Sequence, residues 1–419
     1  MPQAKKLIEV ALPVKEISTE SVRDKYIRHG HISTLHLWWA RRPLPVCRAV
    51  VFASLIPDPL DPDCPQAFKD AVDYLLGKES NSGDPYKPYD DIPYTAAIDP
   101  LEDNLRNRLL MFIGRFSEKF IDRGKQGKNT PTKDKISSYS LITWDNKNNE
   151  KILQKARKLI WVAYNSEKDP NKNSEQLMQE FDERWKAVKQ AEKSLYDHPD
   201  RHKTSPKIEQ KENKLEQTIE KFLDRMPKVF DPFAGGGAIP LEAARLGCRS
   251  YGNDLNPVAH IIQKGSLEFP QKYGKPITYS KKAFIEKYGQ EAFDNIPQDN
   301  LLFKNGEVTG VRLDNRLSYD VEYYAKKLLK MTREEVGHLY PKDEKGRETI
   351  AYQWARTVPC SNPSCKFEVP LVGTNYLCRK KNKKIAFKLT PNEQEKKFNV
   401  SLHRGEEIDF DTSGTVSRG

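Results

Sequence analysis

No run of apolar residues among the 419 positions approaches the roughly 20 needed to cross a bilayer. Met1 to Lys6 lack the apolar stretch of a secretory signal, and the six cysteines fall at irregular spacings. These gaps argue against a membrane partner and a disulfide framework, and the expectation is a cytoplasmic protein with reduced thiols. Carboxylates are in deficit, 59 Asp and Glu against 70 Lys and Arg, for a formal charge of +11. That excess suits a polyanionic partner, because each cation laid on a phosphate releases a condensed counterion. Hydrophobic residues make up 37% of the chain, enough for two or three compact cores separated by polar stretches.

The most informative segment runs from Val229 to Pro240. Val229-Phe230 is a short apolar run that stops at Asp231-Pro232, where a buried parallel strand would reach its C-terminal edge, the place where open α/β sheets bind ligands. Gly235, Gly236 and Gly237 then remove three Cβ atoms in a row, which permits positive φ and close approach of a ligand to the backbone. Leu241 to Leu246 are good helix formers, and Gly247 stands where a helix end favours a left-handed residue. A second short strand returns over Arg249 to Gly252. Asp254 at its tip lies about twenty residues beyond Asp231, where an acidic side chain accepts hydrogen bonds from ribose hydroxyls. A nicotinamide dinucleotide is disfavoured because Pro240 stands where its third glycine belongs. A P-loop is excluded because no Lys-Ser or Lys-Thr follows the glycines.

Asp231, Phe233, Gly235 and Gly237 spell Asp-x-Phe-x-Gly-x-Gly, which resembles motif I of amino-methylating DNA methyltransferases, and Asn253-Asp254-Leu255-Asn256-Pro257 resembles their following acidic motif. The segments Ile27-Arg28-His29-Gly30-His31, Ser33 to Leu44 and Trp354-Ala355-Arg356-Thr357-Val358-Pro359-Cys360 resemble the Zn-ribbon-containing adenine-specific DNA methylases. The N-terminal region of that family is a domain of unknown function met in bacterial anti-phage gene clusters. The resemblance implies an α/β, partial doubly wound S-adenosylmethionine-dependent methyltransferase fold with a helical N-terminal region and half of a zinc-ribbon insertion. It further implies that Asp231, Pro232, Phe233, Ala234, Gly235, Gly236, Gly237, Asp254, Asn256 and Pro257 hold S-adenosylmethionine, that the partner is DNA, and that the reaction is methylation of adenine N6 in a restriction-modification or defence setting.

That chemistry needs an Asp/Asn/Ser-Pro-Pro-aromatic tetrapeptide to hold the exocyclic amine and stack on a flipped base, and none occurs in this sequence. Asp84-Pro85-Tyr86 and Asp91-Ile92-Pro93-Tyr94 are near misses that read as turns. The resemblance places the tetrapeptide beyond Gly419, in a missing C-terminal half or a separate partner chain, so no catalytic residue is assigned. Cys360-Ser361-Asn362-Pro363-Ser364-Cys365 looks like one knuckle of a zinc ribbon, making Cys360 and Cys365 candidate ligands and zinc a candidate cofactor; ordinary reduced thiols are the plain alternative. Two rival functions stay open. One is a non-catalytic cofactor- or DNA-binding subunit of a defence complex. The other is a transfer-RNA guanosine N2 methyltransferase, whose glycine motif is similar.

Four regions are expected: an N-terminal His/Trp/Arg module over 1–60, an irregular connector and charged exposed helices over 61–225, the first part of a donor-binding α/β core over 226–345, and an incomplete zinc-ribbon insertion over 346–419. His198-Pro199-Asp200 should break the charged helices into a hairpin, with Lys203 to Lys214 disordered, a contact arm for DNA phosphate, or a solvated charged face. Within the first region, His36, Trp39, Arg41 and Arg42 are candidates to contact the cofactor carboxylate or a phosphate. The competing reading has Trp38 and Trp39 in the core, with the arginines capping helices or pairing with Glu9 or Glu16.

Overall fold

A computed structural model describes residues 4–77, 84–87, 102–203, 205–340, 342, 346, 354–362, 364–365, 367–380 and 382–416. The fold is mixed helix and sheet, in two compact units spanning residues 1–326 and 327–419.

The first unit begins with α1 (Leu7–Val10), α2 (Val14–Lys25), α3 (Leu44–Leu55), α4 (Gln66–Leu76), α5 (Leu105–Ile113) and α6 (Glu118–Lys125). The connector expected after residue 60 is instead part of the main core. Phe68, Ala71, Val72 and Leu76 on α4 and Leu109, Leu110 and Phe112 on α5 are fully buried. Their helical spacing is interrupted in sequence by stretches rich in Pro, Asp and Gly, which hid the periodicity. Tyr86 of the Asp84-Pro85-Tyr86 near miss packs edge-on against Phe112 at 5.5 Å, as a core residue. The other near miss, Asp91 to Tyr94, lies outside the described residues.

α7 (Glu150–Ser166) is buried on nearly every side, so it is the central helix of the unit rather than an exposed one. Its Trp161 contacts Phe181 and Phe222 at 5.6 Å each, drawn from α8 (Ser174–Tyr196) and α9 (Pro206–Leu223). The break at His198-Pro199-Asp200 does produce a hairpin. Asn173 and Ser205 cap the two helices through the amides of Gln176 and Ile208, and Pro206 opens α9. Most of the expected arm at 203–214 is therefore the start of α9, held by Ile208 against Ala191 and Leu195.

The glycine segment folds as β1 (Lys228–Asp231), α10 (Ala238–Arg245) and β2 (Arg249–Gly252), with β1 and β2 paired in parallel from Lys228 with Arg249 to Asp231 with Gly252. α11 (Pro257–Gln263) and α12 (Phe269–Tyr273) follow. The next strands do not extend this sheet. β3 (Ile277–Ser280), after which come α13 (Lys281–Tyr288) and α14 (Gln290–Asp294), pairs antiparallel with β5 (Glu307–Leu313), which pairs with β4 (Leu301–Lys304). Their small core is Ile277, Tyr279, Phe284, Tyr288, Val311 and Leu313. Asn305-Gly306, both at positive φ, makes the tight β4–β5 turn that favours antiparallel pairing. α15 (Arg316–Val336) follows.

The second unit holds β6 (Thr357–Pro359) paired with β7 (Glu368–Pro370), and the meander β8 (Tyr376–Lys380), β9 (Lys383–Asn392), β10 (Lys397–Gly405). β8 and β9 form a hairpin, and β10 adds a third strand beside β9.

One buried group sets a pH dependence. Glu16 on α2 is buried beside Gly114, no other residue among those described donates to either carboxylate oxygen, and burial pushes its carboxyl from 4.5 up to about 7. The folded state thus holds a proton that the unfolded chain releases above 4.5, so stability falls as pH rises from about 4.5 to 7. Glu20, raised by the same cause, acts in the same direction. Replacing Glu16 by Gln is expected to shrink this slope and raise stability at pH 8, on the order of 3 kcal/mol at most, given about 1.4 kcal/mol per pH unit. Urea unfolding of both proteins across pH 4 to 8 checks it, and parallel slopes would refute the assignment.

Candidate functional site

Asp231 ends β1 and turns the chain, its Oδ1 accepting from the Phe233 amide at 3.0 Å. Gly235 at φ 51° and Gly237 at φ 83° occupy the left-handed region, so glycine is required at both. The turn is fastened to the tip of β2. The Ala234 amide donates to Asn253 O at 2.8 Å, and Gly235 donates to Asp254 Oδ2 at 2.8 Å. Asp254 Oδ1 accepts from the Asn256 amide at 2.9 Å, while Asn256 caps α11 through Val258 and precedes Pro257 at the first helical position. Gln263 Nε2 completes the frame by donating to Gly235 O at 3.1 Å. The two acids and three glycines thus stand in one pre-set frame. Asp254, read from sequence as an anchor for hydroxyls, also uses one lone pair of each oxygen on the backbone of its own loops.

The glycine floor, expected to be open, carries a lid from the N-terminal region. A Cβ on Gly235 would lie 2.5 Å from Trp38 Nε1, and one on Gly236 would lie 3.5 Å from Trp38 Cβ. Trp38 stacks on Trp39 with centroids 4.3 Å apart, and Trp39 is 79% exposed. Neither fills the core. The sequence singled out Trp39, yet Trp38 is the residue on the floor. Adjacent tryptophans cannot be told apart before the path of the loop is known. The space remaining among His36, Trp38, Arg41, Arg42, Ala234 and Gly236 is about 30 Å³, room for one water.

Both ends of this loop are tied to the last turn of α2. Buried Asp24 accepts from Arg41 through Oδ2 at 2.9 Å and through its main-chain oxygen at 2.8 Å, so Arg41 pairs with neither Glu9 nor Glu16. His31 Nδ1 accepts from the Ser33 amide at 3.0 Å, which assigns the ring proton to Nε2, 3.1 Å from Asp24 Oδ1. The His31 ring stacks on Trp144 at 5.6 Å. Arg42 is exposed.

Beneath the floor, Arg48 of α3 and Glu242 of α10 form a wholly buried ion pair, Nε to Oε2 at 2.6 Å and the second guanidinium nitrogen to Oε1 at 3.3 Å. Arg48 also donates to Leu141 O at 2.8 Å, and Arg245 shares Glu242. Sequence reasoning missed both partners of this pair. A separate groove of about 480 Å³ lies along the outer edge of β2, lined by Trp185, Phe222, Arg249 and Tyr251.

Cys360 and Cys365 lie in the β6–β7 connection, where Cys360 N donates to Phe367 O, prolonging the ladder, and Cys365 N donates to Asn362 O within the turn. A closed zinc site takes four ligands. Among the described residues no group of three or more metal-ligating side chains comes together.

Truncating Arg48 leaves the buried Glu242 with Arg245 as its remaining cationic partner. Arg48→Met is expected to cost about 3 kcal/mol, and the triple change Arg48→Met, Glu242→Leu and Arg245→Met, which removes the whole charge cluster, to recover most of it. Urea midpoints of the wild type and the two variants check this, and equal losses in both variants would show that packing rather than charge dominates.

Residues 11–76, which run from just before α2 to the end of α4 and include the His-Trp-Arg loop, match the family described as Protein of unknown function (DUF1156). No curated protein and no solved structure matches the chain.

Proposed function

We propose that the β1–α10–β2 frame binds S-adenosylmethionine and that the chain is the donor-binding, N-terminal portion of a DNA adenine N6 methyltransferase. The observation that supports this best is the glycine turn at the C-terminal ends of two parallel strands, fastened by Asp231 and Asp254 and faced at Ala234 and Gly236 by the loop bearing His36, Arg41 and Arg42. Asp254 has lone pairs left for hydroxyls after its two amide contacts, and the guanidiniums supply cations for a carboxylate. When bound, the sulfonium supplies an activated methyl group. The residues of this chain bind and orient it.

Because no tetrapeptide for holding an exocyclic amine occurs in the sequence, a second reading stands beside the first, a cofactor- or DNA-binding subunit that works with a catalytic partner. The two share the donor site. They part on whether a DNA adenine becomes methylated, which mass spectrometry of DNA incubated with the chain and with its operon neighbours would read.

Trp38 must leave the glycines for a donor to seat. An indole offers 150–250 Å² of ring surface. At about 25 cal/mol per Å², a half-covered ring is held by roughly 2 kcal/mol, a reduction in apparent affinity of about thirtyfold. Calorimetric titration with S-adenosylmethionine is therefore expected to show binding that tightens at least about tenfold in Trp38→Ala and disappears in Asp254→Ala. Absence of heat in the wild type and in Trp38→Ala alike would remove the donor-site reading.

A further inference from the structure

The β8–β9–β10 meander sorts its side chains by face. Cross-strand register puts Ile385 opposite Arg404, Phe387 opposite Leu402, and Leu389 opposite Val400, an almost entirely apolar face along a groove of about 410 Å³. The other face carries Arg379 opposite Lys384, then Tyr376, Ala386 and His403 in one row, Lys388 opposite Ser401, Thr390 opposite Asn399, and Asn392 opposite Lys397. No position of that face within the strands is acidic. Glu393 and Glu395 sit in the β9–β10 turn, and Glu406, Glu407, Asp409 and Asp411 follow β10. Among the described residues, Lys396 pairs with Glu393 at 3.0 Å, whereas Arg379, Lys384, Lys388 and Lys397 reach no carboxylate.

Like charges directly opposite each other on neighbouring strands repel, and on this face Arg379 with Lys384 is such a pair; Lys380 with Lys383, the next pair along, belongs to the opposite face. Surfaces that serve solubility intersperse both signs. This one concentrates cations and adds aromatic rings: Tyr376 lies under Arg379 at 5.3 Å, and Phe410 meets His403 at 4.9 Å. We propose that this face binds the phosphate backbone of a nucleic acid, with Arg379, Lys384, Lys388 and Lys397 on phosphates and the hydroxyl and amide groups of Thr390, Asn399 and Ser401 on the sugar-phosphate edge. Phosphates between the opposed cations relieve their repulsion, and the release of counterions drives association. The inference rests on the reading above only for naming nucleic acid among polyanions.

Fluorescence anisotropy of the full chain with a labelled DNA duplex, the matching single strand and an RNA hairpin tests it and tells the three polymers apart. Lys384→Glu with Lys388→Glu is expected to weaken binding at least about tenfold and to flatten the slope of log affinity against log salt by about 2. Lys384→Glu alone places a carboxylate opposite Arg379, so its melting temperature should hold or rise while its affinity falls, which a merely structural role would not produce. Unchanged affinity and slope for all three polymers overturns the proposal, as does a loss of affinity that appears only together with a fall in melting temperature. Titration of the same variants with S-adenosylmethionine should match the wild type, so that failure of the donor site and failure of this surface read out separately.

Discussion

The buried pair of Arg48 and Glu242 is the constraint from which the site follows. Taking both charges out of water is costly, and their mutual attraction mostly offsets that cost, so the pair contributes little net stability while strongly penalising any packing that separates them. Arg48 lies on α3, and Glu242 lies on α10, the helix that the glycine turn opens. Fixing α10 against α3 fixes Gly237 at its first turn. The same contact fixes Leu44 at the start of α3, and with it the end of the loop that carries Trp38. The lid and the floor are therefore registered to one another by a contact that touches neither. Leu44 and Cys47 packed against Ala238 complete the seam with apolar surface.

The local part of this arrangement was legible in the sequence. Val229-Phe230, the glycine turn, the helix formers and Gly247 each state their role within a few residues, and β1, α10 and β2 form where that reading puts them, with Gly247 at φ 82°. Contacts between distant segments were not legible. Glu242 reads as an ordinary helix former, because its partner stands on another helix far away in sequence and leaves no mark nearby. The cationic face of the β8–β9–β10 meander was not legible either, because only the register reveals that Arg379 and Lys384 stand opposite each other. The sheet after β2 was not legible for a related reason: short apolar runs such as Ile277 to Ser280 do not announce their partners, and turn chemistry at Asn305-Gly306 decided for antiparallel pairing.

The chemistry open to the site can be narrowed by what surrounds the two acids. Phe233 is 84% exposed and Leu255 is 97% exposed, so an apolar rim stands beside carboxylates already oriented by the Phe233, Gly235 and Asn256 amides. On the proposed reading, the planar part of the donor would lie on that rim and its hydroxyls on the carboxylates, whose orientation is set before it arrives, which would lower the entropy lost on binding. Of the thiols in this unit, Cys47 lies against the start of α10, and burial, with Glu242 and Asp231 nearby, pushes it up to about 12. Cys248, just before β2, is likewise pushed up to about 12 by burial. A thiol held that high is not a nucleophile at neutral pH. Neither cysteine can therefore relay a transferred group through a covalent intermediate. On the proposed reading neither thiol takes part in the transfer, and the frame serves to hold the donor in place.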